Sequence, residues 1–193
     1  MTDRTGMLAL LRGYEAEDTG EREMVERTIR FAEAHTDCCE RSLQIGHMTG
    51  SAWILDETRT YALMTHHRKL NRWLQLGGHA DGSADLLAVA LREAREESGL
   101  AELRVVSEEP FDVDVHLIPA RGDEPAHYHY DVCFELEADQ DARLVVSEES
   151  HRLAWISIEE LASRPDSDES IRRKARKTLR ARNGTSRATM DSL

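Results

Sequence analysis

The chain has 193 residues, of which 40% are hydrophobic, and carries a formal net charge of −12 at pH 7. A chain of this length can form one domain with a substantial core and terminal extensions. Its acidic balance argues against a surface that binds nucleic acid, because such a surface needs a basic face. No apolar run approaches the ~20 residues of a membrane span, and the three cysteines do not make a disulfide framework.

The N-terminal segment predicts two helices between about Thr5 and Ala34. Gly13 is expected to end the first helix, and the polar run from Thr19 offers a start for the second. The short apolar patch at the N-terminus is followed by acids and is not a signal peptide, so a cytoplasmic protein is the default expectation. We expect residues 1–45 to form a helical extension that packs on the rest of the chain; a homodimer contact is the open alternative.

From Gly46 onward the pattern changes to short β-type runs. Thr49–Leu55 and Thr60–Thr65 predict a hairpin. Phe111–Ile118 and Tyr128–Glu137 alternate between polar and apolar residues and predict a second pair of strands. Shorter strands are expected at Leu103–Val106, at Leu153–Ile156 and at Trp73–Leu76, which leads into the glycine pair Gly77-Gly78.

A helical run behind this glycine-rich turn is the most distinctive stretch of the chain. Ser83 is predicted to cap the helix, and Gly99 is predicted to end it in a left-handed conformation. Glu93, Glu96 and Glu97 stand at i, i+3 and i+4, so they share one face. Their mutual repulsion favours binding of a hard divalent cation, Mg²⁺ or Mn²⁺, which takes oxygen ligands. A solvated acidic face is the plain alternative.

The stretch resembles the signature box of the Nudix hydrolase family, G-x5-E-x7-R-E-apolar-x-E-E-x-G-apolar, placed from Gly78 to Leu100. The matching residues inside it are Arg92, Glu93, Ala94, Glu96, Glu97, Gly99 and Leu100. One position departs, because the box glutamate falls on Ala84 and an acid stands only next door at Asp85. In the family that glutamate supports the metal-ligand network, so the departure bears on activity and metal stoichiometry more than on fold.

The resemblance implies an α/β fold, an α/β/α sandwich with a mixed β-sheet over residues 46–164. The alternation of strands with long helices suits the same architecture. Residues 165–193 are expected to add a basic helix, Glu169–Arg182, and a mobile tail. Its cations suggest a nucleic-acid patch, but in so acidic a chain we expect them to dock on the chain's own carboxylates or on a second subunit.

The resemblance also implies which residues carry the chemistry. Mg²⁺ or Mn²⁺ would be held by Glu93, Glu96, Glu97 and the carbonyl of Gly77. Arg92 would orient the carboxylates, and the general base would be a box glutamate, Glu96 or Glu97, or an acid of a late loop. Glu148 and Glu149 are the late-loop candidates. The implied substrate is a small molecule that contains a nucleoside diphosphate, with neither nucleic acid nor a membrane as partner.

Histidines are unusually frequent near this stretch. His127, His129 and Asp131 alternate and would share one face of a strand. With His79 and His116 they could line one cleft, where they would polarise a phosphate oxygen or hold a softer metal such as Zn²⁺. Surface histidines bonded to backbone are the alternative for any single one; we expect a cleft role for at least one of His79, His127 and His129. The GGH turn and the HxHYD strand resemble a Nudix subgroup whose substrate the sequence does not give.

Three functions are compatible with these residues. We favour a metal-dependent hydrolase that cleaves a diphosphate linkage by water attack. The second is an enzyme related to isopentenyl-diphosphate isomerase, which has a reactive cysteine before its Gly-His where this chain has Leu76-Gly77-Gly78. The third is a non-catalytic nucleotide-binding module, suggested by Ala84 and the extra helices.

Overall fold

The computed structural model describes residues 4–122, 124–165 and 168–190, with side chains described through residue 184. Its helices are α1 (Arg4–Gly13), α2 (Thr19–Ala34), α3 (Leu86–Ser98), α4 (Ile158–Ser163) and α5 (Glu169–Met190). Its strands are β1 (Gly46–Leu55), β2 (Tyr61–His67), β3 (Arg72–Leu74), β4 (Leu76–His79), β5 (Arg104–Val105), β6 (Asp112–Ile118), β7 (His127–Glu137) and β8 (Ser150–Ser157). None of the described helices is long and apolar enough to cross a membrane.

The strands form one mixed sheet with β1 at its centre. β1 runs parallel to β7 along its whole length, from Gly46 opposite Tyr128 to Leu55 opposite Glu137. The other pairs are antiparallel, and they include the two that the sequence predicted, β1 with β2 and β6 with β7. The predicted mixed-sheet α/β/α fold is therefore confirmed.

Alternation along β1 separates two apolar clusters, one on each face of the sheet. Met48, Ala52 and Ile54 join the cluster that holds the apolar faces of α1, α2 and α3. Trp53 joins the cluster under α4 and α5, and its indole N–H donates to the Thr178 hydroxyl at 3.0 Å. Helices thus cover both faces of the sheet.

The N-terminal helices pack on the sheet, as the sequence predicted. Met7 and Leu11 of α1 are buried in the same cluster as Met48. In α2, Phe31 stacks on Tyr130 of β7 with ring centroids 3.9 Å apart. The division of the chain at residues 45 and 164, and a dimer contact through the extension, remain predictions.

Helix α5 is longer than predicted. The sequence placed its end near Arg182, before Asn183 and Gly184, but the backbone stays helical to Met190. A glycine disfavours a helix by about 1 kcal/mol, which does not end a helix that many packed residues have already nucleated. Residues 191–193 of the predicted mobile tail lie outside the described residues.

The cations of α5 dock on carboxylates of this same chain, which bears out the prediction made for them. A buried ion-pair cluster joins Arg173, Lys174 and Lys177 to Asp112 of β6 and Glu21 of α2. Nitrogens of Arg173 and Lys177 lie 2.7 and 3.0 Å from the Asp112 carboxylate. The cluster ties the N-terminal and C-terminal helices to the sheet.

Candidate active site

A polar cleft of about 460 Å³ opens beside the C-terminal half of α3. It is lined by carboxylates, histidines and small residues from α3, β1, β4, β6, β7 and the loop before β8; among them are Thr49, Ser51, Gly77, Gly78, His79, Glu93, Glu97, His116, His129, Asp131 and Glu149. A larger depression of about 840 Å³ around residues 99–104 contains none of the predicted site residues. The cleft, where polar groups converge, is therefore the candidate site.

Helix α3 begins later than the sequence predicted. Asp85, and not Ser83, is its N-cap, with the Asp85 carboxylate accepting from the Ala88 amide at 3.0 Å. Ser83 still belongs to the turn, because its own amide donates to the Ala80 carbonyl. The predicted end is confirmed, since Gly99 adopts a left-handed φ of 71°.

Small residues let α3 lie against the sheet at close range. A Cβ on Gly50 would stand 2.6 Å from the Leu86 carbonyl oxygen, and one on Gly78 would stand 2.4 Å from the Glu93 carboxyl carbon. Real Cβ atoms do not approach other atoms so closely. The glycines of β1 and β4 thus place the box carboxylates directly on the sheet edge.

Glu97 is buried and Glu93 is half-buried where α3 meets the cleft. Glu97 is 8% exposed, and its carboxylate accepts a hydrogen bond from the Gly77 amide at 3.1 Å. Burial raises the pKa of Glu97 to about 8, with the charges of Glu93 and Glu149 acting in the same direction. Burial also raises the pKa of Glu93, although Arg92 opposes the shift. Across the described residues, no lysine or arginine forms an ion pair with Glu97.

Arg92 connects the box helix to the glycine turn. Its guanidinium donates to the His79 carbonyl at 2.9 Å and to the Glu93 carboxylate at 2.8 Å. Among the box carboxylates that the sequence offered to Arg92, the guanidinium therefore pairs with Glu93 and not with Glu96. A charge-assisted pair of this kind fixes the direction of the carboxylate.

The structure separates the predicted acids into two groups. Glu93, Glu97 and Glu149 line the cleft, with Gly77 beside them. Glu96 and Glu148 are exposed and do not line it. Glu96 still contributes its charge to the raised pKa of Glu97.

A hard divalent cation fits the donors on this side of the cleft. The carboxylates of Glu93 and Glu97 offer oxygen ligands, which Mg²⁺ and Mn²⁺ prefer. Burial raises the pKa of both carboxylates, and the charges of neighbouring acids act in the same direction. Glu93, Glu97 and the Gly77 carbonyl are the residues that would hold the ion.

The predicted histidines gather along the start of β7. His79 and His129 line the cleft with ring centroids 5.1 Å apart, and His116 also lines it, 5.5 Å from His129. His127 is buried next to His129. Asp131 is held by hydroxyl groups of Thr49 and Ser51 at 2.8 and 2.6 Å, so its carboxylate is already engaged.

Sequence reasoning missed His47, which is 2% exposed and packs against His79, His127 and His129. His47 lies opposite His129 in the parallel register of β1 and β7. In the sequence, His47 is marked only by its position at the start of the first strand. The pairing of β1 with β7 is what places it beside the other histidines.

Ala84 is 7% exposed and belongs to the apolar cluster under α3. The neighbouring Asp85 caps the helix and is exposed, so it does not replace the carboxylate that the box has at this position. A glutamate introduced at Ala84 would have to bury its charge or displace the apolar packing.

The structure is a mixed α/β/α sandwich that brings the box carboxylates to a polar cleft. A family model described as the NUDIX domain matches residues 47–179. A search of curated proteins finds no match. The chain belongs to the Nudix family.

Solved structures agree with the fold. A C. elegans Ap4A hydrolase in a binary complex is 18% identical, covers 71% of this chain and 98% of its own, and has a TM-score of 0.56. The E. coli dihydroneopterin triphosphate pyrophosphohydrolase is 16% identical, covers 66% and 91%, and has a TM-score of 0.50. The Nudix hydrolase RenU of M. smegmatis is 20% identical, covers 72% and 88%, and also has a TM-score of 0.50. Assignment to the GGH and HxHYD subgroup stays a prediction.

Proposed function

We propose that the chain hydrolyses the diphosphate linkage of a nucleoside-diphosphate-type small molecule with Mg²⁺ or Mn²⁺. One observation carries the proposal: Glu97 is buried on the cleft and, among the described residues, has no cationic partner, while burial and neighbouring acids raise its pKa to about 8. A protein gains nothing in stability from such a group. A divalent cation bound there and shared with a diphosphate would supply the missing charge.

Each box residue has a distinct task in this proposal. Bound Mg²⁺ or Mn²⁺ would neutralise the diphosphate and acidify the attacking water. Glu93 and Glu97 hold the ion with the Gly77 carbonyl, and Glu96 adds negative charge from the exposed side of α3. Arg92 keeps Glu93 directed at the cleft through its bonds to Glu93 and to the His79 carbonyl.

Glu149 is our choice for the general base. It lines the cleft, and its charge acts on both Glu93 and Glu97, so it lies near the ion site. Its exposed carboxylate stays available to accept a proton from water. His79 and His129 line the same cleft and would contact the phosphate oxygens or the leaving group.

The adjacent acids of this loop give a matched pair of variants. Glu149→Gln should lower kcat by about 10²-fold or more, since a general base contributes at least that. Glu148→Gln should leave kcat within about twofold, because removing a charge outside the cleft changes little. Steady-state kinetics on one substrate measures both. Equal losses, or a loss only in Glu148→Gln, would reject Glu149 as base.

The first experiment is a screen of diphosphate compounds with the full chain and Mg²⁺ or Mn²⁺, read as release of phosphate or monophosphate. The names of the solved relatives supply the first compounds, a dinucleoside polyphosphate and a pterin triphosphate. ADP-ribose, coenzyme A and sugar nucleotides complete the set. Cleavage that Glu97→Gln abolishes and that exposed Glu23→Gln retains supports the proposal. Binding without cleavage in the presence of both metals would favour the non-catalytic module.

No described residue favours the isomerase alternative. Cys38, Cys39 and Cys133 are buried, and none of them lines the cleft. Leu76 and Gly77, which precede Gly78-His79, have no nucleophilic side chain that would replace the isomerase cysteine.

A further inference from the structure

Three histidines behind the cleft form a compact group, of which the proposed diphosphate chemistry uses only His129. His47 stands at the start of β1, opposite His129 in the parallel register, and His127 is two residues earlier on β7 and on the same face. The three rings form a nearly equilateral triangle with centroids 4.9, 5.0 and 5.1 Å apart. One nitrogen from each ring lies within 4.8 Å of the other two.

The buried ring of His47 is not satisfied by hydrogen bonds among the described residues. It is 2% exposed, and neither of its ring nitrogens has a hydrogen-bond partner among the described residues. The backbone of Leu43 acts on the His47 ring, but it does not reach hydrogen-bond geometry with either ring nitrogen. An imidazole always carries at least one N–H donor, and buried polar groups are rarely left unpaired. The ring faces the other two histidines, so a ligand between them would satisfy it.

His127 is already oriented as a metal ligand would be. Its Nδ1 lies 2.9 Å from the Pro125 carbonyl oxygen, so it carries the proton and leaves Nε2 as an acceptor. Metal-ligating histidines commonly bond a carbonyl in this way, which fixes the tautomer and the ring direction. That free Nε2 points at the Nε2 of His129, 3.3 Å away.

The spacing of these two nitrogens matches tetrahedral coordination. Nitrogens that bind one Zn²⁺ at about 2.0–2.1 Å in a tetrahedron lie about 3.3 Å apart. A hydrogen bond from His129 to His127 has the same length but leaves His47 without a partner.

We propose that His47, His127 and His129 bind a borderline transition-metal ion, Zn²⁺ first, at a site separate from the carboxylates of the box. Three nitrogen ligands suit Zn²⁺ and do not suit Mg²⁺, which requires oxygen. Because His129 lines the cleft, an ion bound by the three histidines would be reached from the cleft, and water or a substrate oxygen would complete its coordination. The site would bring a second kind of cation to the same cleft.

The test is a metal titration of the full chain after treatment with EDTA. Calorimetry with Zn²⁺ should give one ion per chain, and Co²⁺ should give the visible absorption of a four-coordinate, nitrogen-bound ion. His47→Asn and His127→Asn should each weaken Zn²⁺ binding by at least about 100-fold, since even outer partners of a ligand are worth 10–100-fold. His151→Asn, a change at an exposed histidine of β8, is the matched control and should bind as the parent does.

Two further measurements keep the proposal open to refutation even where a variant fails to fold. In the parent chain, Zn²⁺ should shift the imidazole NMR signals of His47, His127 and His129 and leave that of His151 unchanged. Glu97→Gln should retain Zn²⁺ binding, which separates this site from the box. Absence of stoichiometric Zn²⁺ binding, shifts confined to other histidines, or loss of Zn²⁺ in Glu97→Gln would each overturn the proposal.

Discussion

Two groups of buried charge in this molecule differ in how they are compensated. In the ion-pair cluster under α5, Asp112 is 1% exposed and meets Arg173, Lys174 and Lys177. Burial acts to raise the pKa of Asp112, but these cations outweigh it and lower the pKa. In the cleft, Glu97 is 8% exposed, and among the described residues only the Gly77 amide donates a hydrogen bond to it; burial raises its pKa to about 8.

The difference separates a structural charge cluster from one kept for a ligand. A buried acid with cations around it holds parts of a fold together, here α2, β6 and α5. A buried acid without cations costs stability unless an ion arrives from outside. In these two groups, the direction of the pKa shift follows the presence or absence of cationic partners.

The largest expected effect comes from breaking the compensated cluster. Asp112→Asn leaves three buried cations short of a partner and should lower the free energy of unfolding by about 3–5 kcal/mol. Chemical denaturation measures the loss. As a matched control, Arg176→Met removes an exposed partner of Glu169 and should cost at most about 1 kcal/mol. Similar small losses in both variants would mean that the cluster does not anchor α5.

The second largest effect is expected at Glu97, the buried acid without a cationic partner among the described residues. Glu97→Gln should reduce kcat/KM by about 10²-fold or more, because an ion that stabilises the transition state by several kcal/mol loses a ligand. The same variant, assayed with EDTA at pH 8, should unfold no more readily than the parent. If Glu97→Gln lost as much stability as Asp112→Asn, Glu97 would have a structural role. The contrast between the ion-pair cluster and the cleft would then be wrong.

A smaller effect appears in the pH dependence of stability. The pKa of the Glu97 carboxyl is about 8 in the folded chain and 4.5 in the unfolded chain. The protonated carboxyl therefore adds its full contribution to the free energy of unfolding below pH 4.5, and this contribution is lost as the pH rises through 8. In EDTA, the free energy of unfolding should therefore fall by on the order of 2 kcal/mol between about pH 5 and pH 8. Urea titrations across this range measure it. Glu97→Gln should flatten the fall, and Mg²⁺ should reverse it at pH 8; an identical slope in the variant would assign it to other groups.

Much of the fold could be predicted because periodicity and end signals are local. The polar run from Thr19 predicted the start of α2, and Gly99 predicted the end of α3. Local signals also misled: Ser83 has the chemistry of an N-cap, but the glycine turn continues past it and Asp85 takes the role. Likewise, Asn183 and Gly184 suggest a stop that α5 does not make.

The sequence by itself determined the box, its acids and the glycine turn, because their spacing along one helix fixes which side chains share a face. It also determined that the paired cations of α5 would need acidic partners. Only the tertiary structure decided that Asp112 and Glu21 are those partners, that Glu97 is buried while Glu96 is exposed, and that His47 joins His127 and His129. The physical reason is that the parallel register of β1 and β7 and the packing of α3 on glycines are non-local contacts, which no run of neighbouring residues specifies.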